Sequence, residues 1–401
     1  MQTSINEKIT FIMLIGRSLH KYGASSDRIE KALEILSSKL NVEVRCFSLP
    51  TGIFASFIDG DTEQARMDRL DPGKINLSKL YHVDHIVDLV TWNEITIEDG
   101  SKRVKEIQNE LPLYNNLLVT LSYGLIAFAI TIFLKGTLLD AGFAALLGLI
   151  VGFFTETVKE ERIDSVSDAI ISFLVASLAL LLGSIFPLNV NLITLASLIM
   201  LVPGLMLTLA IGELASQNLT SGTARIMGAF VILLKISFGV YLGYQLVKYF
   251  NIPMLEAQLG SPSLPIEILA LVLAGMGLSL SFQARKQDYI WIILAAFISF
   301  YSSAILINML GVVGGYLVAG TVVGSLSNVF SRVKNRPALI FLLPAIILLV
   351  PGSIGFQGLG FLFDKNILEG FNSIFNMISI GISLISGTYF GAILVKPRRT
   401  L

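Results

Sequence analysis

Leu201-Val202-Pro203-Gly204 recurs 148 residues later as Leu349-Val350-Pro351-Gly352, and the reading of the chain turns on that recurrence. At the same offset Gly239-Val240-Tyr241-Leu242-Gly243 is answered by Gly387-Thr388-Tyr389-Phe390-Gly391, and Asp140 falls on Asp288. One such match is cheap in an apolar chain; three at one offset indicate a duplication. Each copy holds about five apolar segments, most of them reaching the roughly 20 residues that cross a bilayer as a helix. An odd number of crossings turns the second copy upside down relative to the first.

Composition agrees. The 401 residues have a mean hydropathy of +0.74, and only 14% are charged, well under the roughly 25% of a soluble domain. More than half of the charged residues lie in the first 110 positions, so a soluble head precedes a membrane body. The expected fold is an all-α polytopic membrane protein: ten transmembrane helices in two inverted five-helix repeats, behind a small α+β domain. The domains are 1–112, 113–252 and 264–396. Spans are expected near 115–134, 138–157, 167–186, 190–212, 224–249, 265–284, 288–307, 311–330, 337–355 and 373–395, with 353–372 containing a long apolar loop. Zero net charge argues against nucleic acid as a partner. Cys46 is the only cysteine, and His82 with His85 lacks further ligands, so neither metal nor cofactor is expected.

In the head, residues 9–22 and 27–40 read as helices, the second opening on a capping-box-like Asp27 and Glu30. Strands are expected at 42–49, 53–58 and 63–70, and helices at 77–90 and 97–110. The apolar run 9–15 is too short for a secretory signal, which leaves the head in the cytoplasm. Among the short loops, one alternating set holds eleven Lys and Arg, including Arg225, Arg285 and Arg336. The other set holds only Lys135, Lys248 and Lys365. The basic set shares the head's side, which places both termini in the cytoplasm.

Pro203-Gly204 and Pro351-Gly352 interrupt helices at membrane depth. A break of that kind leaves backbone polar groups unpaired, and lipid tolerates it only inside protein or beside a water-filled cavity. With Ser353 beside the second break, the pair is the expected substrate site. A simple packing kink is the plainer alternative. Lys235 shares a helical stripe with Gly239 and Gly243; as a membrane-embedded cation it is a candidate for attracting a carboxylate or exchanging a proton. Glu213 and Glu156, near cytoplasmic helix ends, are candidate proton carriers and possible partners for it. Gly239, Gly243, Gly387 and Gly391 read as helix-packing faces, as do Gly148/Gly152, Gly311/Gly315 and Gly320/Gly324. Such faces also permit a homodimer. Asp140 and Asp288 suit helix N-termini, where an anion complements the macrodipole.

Gly16-Arg-Ser-Leu-His-Lys-Tyr-Gly-Ala24, Arg28-Ile-Glu30 and Pro50-Thr51 resemble the soluble head of the threonine/serine exporter family. Leu201 to Ala210, Glu213-Leu214 and Ser221-Gly-Thr-Ala-Arg225 look like that family's signature across spans four and five. Leu349 to Gly352 resembles its second half, which in some members is a separate protein. The resemblance implies an inner-membrane exporter of small metabolites driven by the proton motive force, not an enzyme. Its substrate is then threonine or serine, or a dicarboxylate such as succinate. A membrane-anchored enzyme or sensor working through the head is the rival of another class.

Overall fold

The computed structural model describes residues 4–397 except 60–61, 72, 158–160, 252, 258–259, 351 and 364. The head opens with α1 (Ile5–Lys21) and α2 (Ser26–Lys39). An antiparallel sheet follows, β1 (Glu43–Leu49), β2 (Gly52–Asp59) and β3 (Thr62–Arg69), in the order β1-β2-β3. α3 (Leu77–Thr91) and α4 (Ile97–Asn109) complete it. Apolar residues at helical spacing bury Phe11, Ile12, Ile15 and Leu19 of α1 against Leu33 of α2, Ile53 and Phe57 of β2 and Val104 of α4. Burial holds the imidazole of His20 below its ordinary pKa of 6.5, while its Nε2 meets the Leu49 carbonyl at 3.1 Å. The folded head therefore favours neutral His20. Its contribution to stability is full above about pH 6.5 and falls as pH drops toward the lowered folded value. His20→Gln is expected to flatten the acid side of the head's stability profile, as followed by thermal melting from pH 7 to 5.

The body comprises α5 (Asn116–Phe133), α6 (Leu138–Thr157), α7 (Glu161–Gly183), α8 (Val190–Leu198), α9 (Gly204–Ala215) and α10 (Leu219–Tyr249). A second series follows: α11 (Leu264–Ser281), α12 (Tyr289–Lys334), α13 (Leu339–Leu349), α14 (Gly352–Phe363) and α15 (Ile367–Leu394). Among the described residues, eight helical runs are long and apolar enough to cross a membrane. α9 is a shorter apolar helix, because the chain breaks at Pro203 (φ −78, ψ 44). The counterpart break leaves Val350 extended (φ −68, ψ 133) between α13 and α14.

α12 reverses at Gly311, whose φ of +73 and ψ of 176 suit only glycine. Trp291 and Phe330, near its two ends, are consequently ring neighbours at 5.4 Å. Gly311 thus serves as a turn and not as the packing face expected of it; a Cβ there would meet nothing within 4 Å. The expected loop at 353–372 is also corrected: α14 occupies it to Phe363, and α15 begins at Ile367. The residues after Gly352 restart a helix just as those after Gly204 do.

One end of the helix bundle carries the head. Lys74 binds Glu156 at the end of α6 (2.9 Å), and α2 meets the α9–α10 turn. The Leu77 and Ser78 amides donate to the Phe282 and Gln283 carbonyls (2.9 and 3.2 Å). The Arg285 guanidinium lies 3.2 Å from the centre of the Tyr81 ring. At the opposite end Asp140 accepts from the Asn189 amide (2.8 Å), and Leu255 donates to the Gly183 carbonyl (3.2 Å).

The expected packing glycines lie where helices touch. A Cβ on Gly239 or Gly243 would strike the Ala169 or Phe173 carbonyl of α7, and one on Gly387 or Gly391 would strike Leu317 or Thr321 of α12. Gly387→Ala is expected to cost about 1–3 kcal/mol through overpacking. It should lower the melting temperature in detergent, whereas Gly142→Ala, with no neighbour within 4 Å, should not. Equal melting of the two variants would refute the close approach.

Candidate functional site

The two helix breaks meet. A Cβ on Gly204 would lie 2.5 Å from Val350 Cγ1 and 3.3 Å from Gly352 Cα. One on Gly352 would lie 3.0 Å from Val202 Cγ1 and 3.1 Å from Gly204 Cα. Only glycine lets the two interrupted backbones approach this closely. Pro203 caps α9, Ser353 is half-buried in the first turn of α14, and Pro351 lies outside the described residues.

Beside this crossing is a cavity of about 650 Å³ between α9, the first half of α10, and α15. Leu207, Ile211, Phe230, Met377 and Ile382 form much of its wall, and Val350 and Gly352 border it. Thr208 and Ser386 bring hydroxyls, and no charged side chain lines it.

Glu213, near the end of α9, is fully buried. Its carboxylate accepts from Arg225 Nε (2.9 Å), Ser221 Oγ (2.8 Å) and the backbone amide of Ser26 (2.9 Å). Ser26 is the first residue of α2, so a membrane-body carboxylate caps a helix of the head. The N-terminal amides of a helix are orphan donors with a positive dipole end, which an anion satisfies. Asn218, its amide oxygen facing the Asp27 amide (3.2 Å) and its nitrogen facing Glu30 (3.3 Å), extends the seam.

The expected local box is therefore corrected. The N-cap is Ser25, which makes no side-chain cap, and Glu30 instead accepts from the Ser48 amide (2.8 Å). The sequence signal for this cap was present in Glu213 and Ser221, but nothing local tied them to α2.

Glu156 is likewise held by the head, through Lys74. Neither glutamate pairs with Lys235. That cation faces Asp168 of α7 at 4.0 Å, away from the cavity lining. Asp168 is the partner that sequence reasoning missed; its place in an apolar segment was the available signal. Breaking one half of an intramembrane pair strands the other charge. A double-mutant cycle on Lys235→Met and Asp168→Asn is expected to show coupling of roughly 1 kcal/mol in detergent unfolding. Strict additivity would mean that the pair contributes nothing.

Asp140 and Asp288 do more than complement a helix dipole. Asp140 accepts from the Thr137 hydroxyl (2.7 Å) and reaches Asn189, which caps α8. Asp288 is clamped by Arg285 (2.9 Å) and by Arg336, which precedes α13. Among the described residues no cluster of three or more His, Cys, Asp or Glu could hold a metal.

A bundle of apolar helices, with two breaks that meet inside it, defines a polytopic membrane protein. The chain belongs to the threonine/serine exporter family. The family model described as a putative threonine/serine exporter matches residues 10–247, and a second threonine/serine exporter model matches 267–394. A pheromone-regulated membrane protein 10 of Candida albicans (strain WO-1) is 29% identical over 364 residues, covering 87% of this chain and 33% of its own length. A protein of that name from Eremothecium gossypii is 26% identical over 391 residues, covering 92% and 50%. This chain thus spans about a third to a half of these relatives. No solved structure matches it. The two matches to exporter models together cover both halves of the membrane body and most of the head.

Proposed function

We propose that this protein is a secondary active exporter of small amino acids, threonine or serine, across the cell membrane. Its substrate would bind where the two broken helices cross. The observation that carries this reading is the backbone approach of Gly204 to Gly352, beside a cavity with two hydroxyls in an apolar wall. Broken helices at a repeat interface are where transporters expose backbone groups to a solute. A wall without cations suits a small zwitterion better than a dianion such as succinate. Pro203, Gly204, Gly352 and Ser353 form the proposed site, together with Pro351 from the sequence.

The proposed architecture is ten crossings in two inverted repeats. α9 and α14 occupy equivalent positions at the 148-residue offset, and α10 and α15 begin at equivalent positions. The left-handed residues Lys135 and Gln217 have left-handed equivalents in Gln283 and Lys365. Asp140 sits at the end away from the head, whereas its equivalent Asp288 sits near it beside Arg285, as inversion requires. Arg225, Arg285 and Arg336 lie at the head's end, which supports cytoplasmic termini.

Protons are the proposed coupling ion, with Glu213 and Glu156 as carriers. Each is ion-paired at the inner end, so protonation would also loosen the head. Lys235, facing Asp168 away from the cavity lining, would meet a substrate carboxylate only on another stretch of the pathway, where the carboxylate would replace Asp168 as its partner. The test is flux in proteoliposomes under an imposed proton gradient, with labelled threonine and succinate side by side. Threonine flux that collapses with the gradient supports the reading. Succinate flux alone moves the assignment to dicarboxylates, and flux of neither overturns it.

A further inference from the structure

Two tyrosines related by the duplication reach across the repeats in opposite directions. Tyr389 of α15 belongs to the second copy, and its hydroxyl donates to the Gly212 carbonyl of α9 in the first copy (3.1 Å). Tyr241 of α10 belongs to the first copy, and its ring stacks on Phe363 of α14 in the second (centroids 5.4 Å, interplanar 23°). Each therefore closes on the last turn of the half-helix that follows the other copy's break. The two closures lie on opposite sides of the Gly204–Gly352 crossing. Gly212 is one residue from Glu213 and hence at the head's end. Phe363 ends α14, two residues before Lys365, at the other end.

We infer that Tyr389 and Tyr241 are the inner and outer gates of one pathway, placed by the duplication and used in alternation. The inference rests on the transport reading above, and it names the residues that control access to that site. Both contacts are made in this conformation, one on each side of the crossing. Their chemistry differs. The inner gate is polar: the Tyr389 hydroxyl bonds the Gly212 carbonyl and meets the Ser216 side chain at a half-helix terminus, and Asp27, Arg28 and Glu213 lie close enough to act electrostatically on it. The outer gate is a ring-on-ring contact. Opening the inner gate therefore involves the head, whereas opening the outer gate involves only the membrane body. Alternation follows from the connectivity. α9 and α10 are joined by a three-residue turn, as are α14 and α15, so a half-helix that swings away from one tyrosine pulls on the helix carrying the other.

The test is sided thiol accessibility. With Cys46→Ser removing the native thiol, Ser386→Cys places a reporter in the cavity wall, one helical turn from Tyr389. Right-side-out and inverted vesicles are treated with a membrane-impermeant thiol reagent. Tyr389→Phe keeps the ring and deletes the bond to Gly212. It is expected to raise labelling from the inner side roughly fivefold to tenfold, the population shift that losing one buried hydrogen bond supports. Phe363→Leu is expected to raise labelling from the outer side and not from the inner. Tyr241→Leu provides a second variant should that protein fold poorly. Changes on the same side for both gates, or no change in any variant, overturn the inference. Gradient-driven threonine flux with unmoved accessibility sinks the gates and leaves the transport reading intact. The crossed pattern without flux of threonine, serine or succinate does the reverse.

Discussion

Glu213→Ala is expected to release the start of α2 from the membrane body and to cost about 3–5 kcal/mol, the usual penalty for stranding one partner of a buried ion pair. Arg225, whose side chain is 14% exposed, is left without its carboxylate, and Ser26 loses its backbone acceptor. The effect should be directional. Limited proteolysis should cleave faster around residues 22–26 and 216–219, and the melting temperature in detergent should fall. Glu213→Gln retains an acceptor for Ser26 but not the charge. It separates the two terms: a melting temperature close to that of the parent would assign the seam to hydrogen bonding, and one close to Glu213→Ala would assign it to the ion pair. Unchanged proteolysis and melting in Glu213→Ala would show that the head is held elsewhere. The Lys74–Glu156 pair, with Lys74 78% exposed, is expected to contribute little, since exposed ion pairs are screened.

Gly204→Ala is expected to lower threonine flux by at least about tenfold, equivalent to ~1.4 kcal/mol on the transport step. The added methyl would lie 2.5 Å from Val350 Cγ1, so the two breaks must part or Val350 must move. Because the clash is with one side chain, Val350→Ala in the same protein should restore much of the flux. The Gly352 backbone remains at 3.3 Å, which limits the rescue. Full flux in Gly204→Ala would show that the crossing is not where solute passes. Loss without rescue would place the strain on the backbone and not on Val350.

Much of the fold was legible because it is written in local terms. α6 lies at 138–157 as its hydropathy predicts, and every head helix and strand falls within a few residues of its sequence signal. Helical and strand periodicities report a buried face without reference to what covers it. The breaks were legible too, since Pro203-Gly204 cannot continue a helix. Two features were misread for local reasons. The residues after Gly352 looked like a loop because glycines at 355, 358 and 360 weaken the helical signal, although they pack as α14. Gly311 looked like a contact face because spacing alone cannot tell a turn glycine from a packing glycine; only its φ of +73 does.

The sequence by itself determined an apolar body behind a charged head, the helix breaks and the places of most of the apolar helices. These follow from hydropathy, periodicity and backbone chemistry, which act over a few residues. The tertiary structure decided the partners. Glu213 caps α2 from 187 positions away, Lys235 faces Asp168, and Gly204 touches Gly352. Such pairings depend on which helix faces bury one another. Each polar group then takes whatever donor or acceptor that packing brings within reach, because a buried one left unpaired is costly.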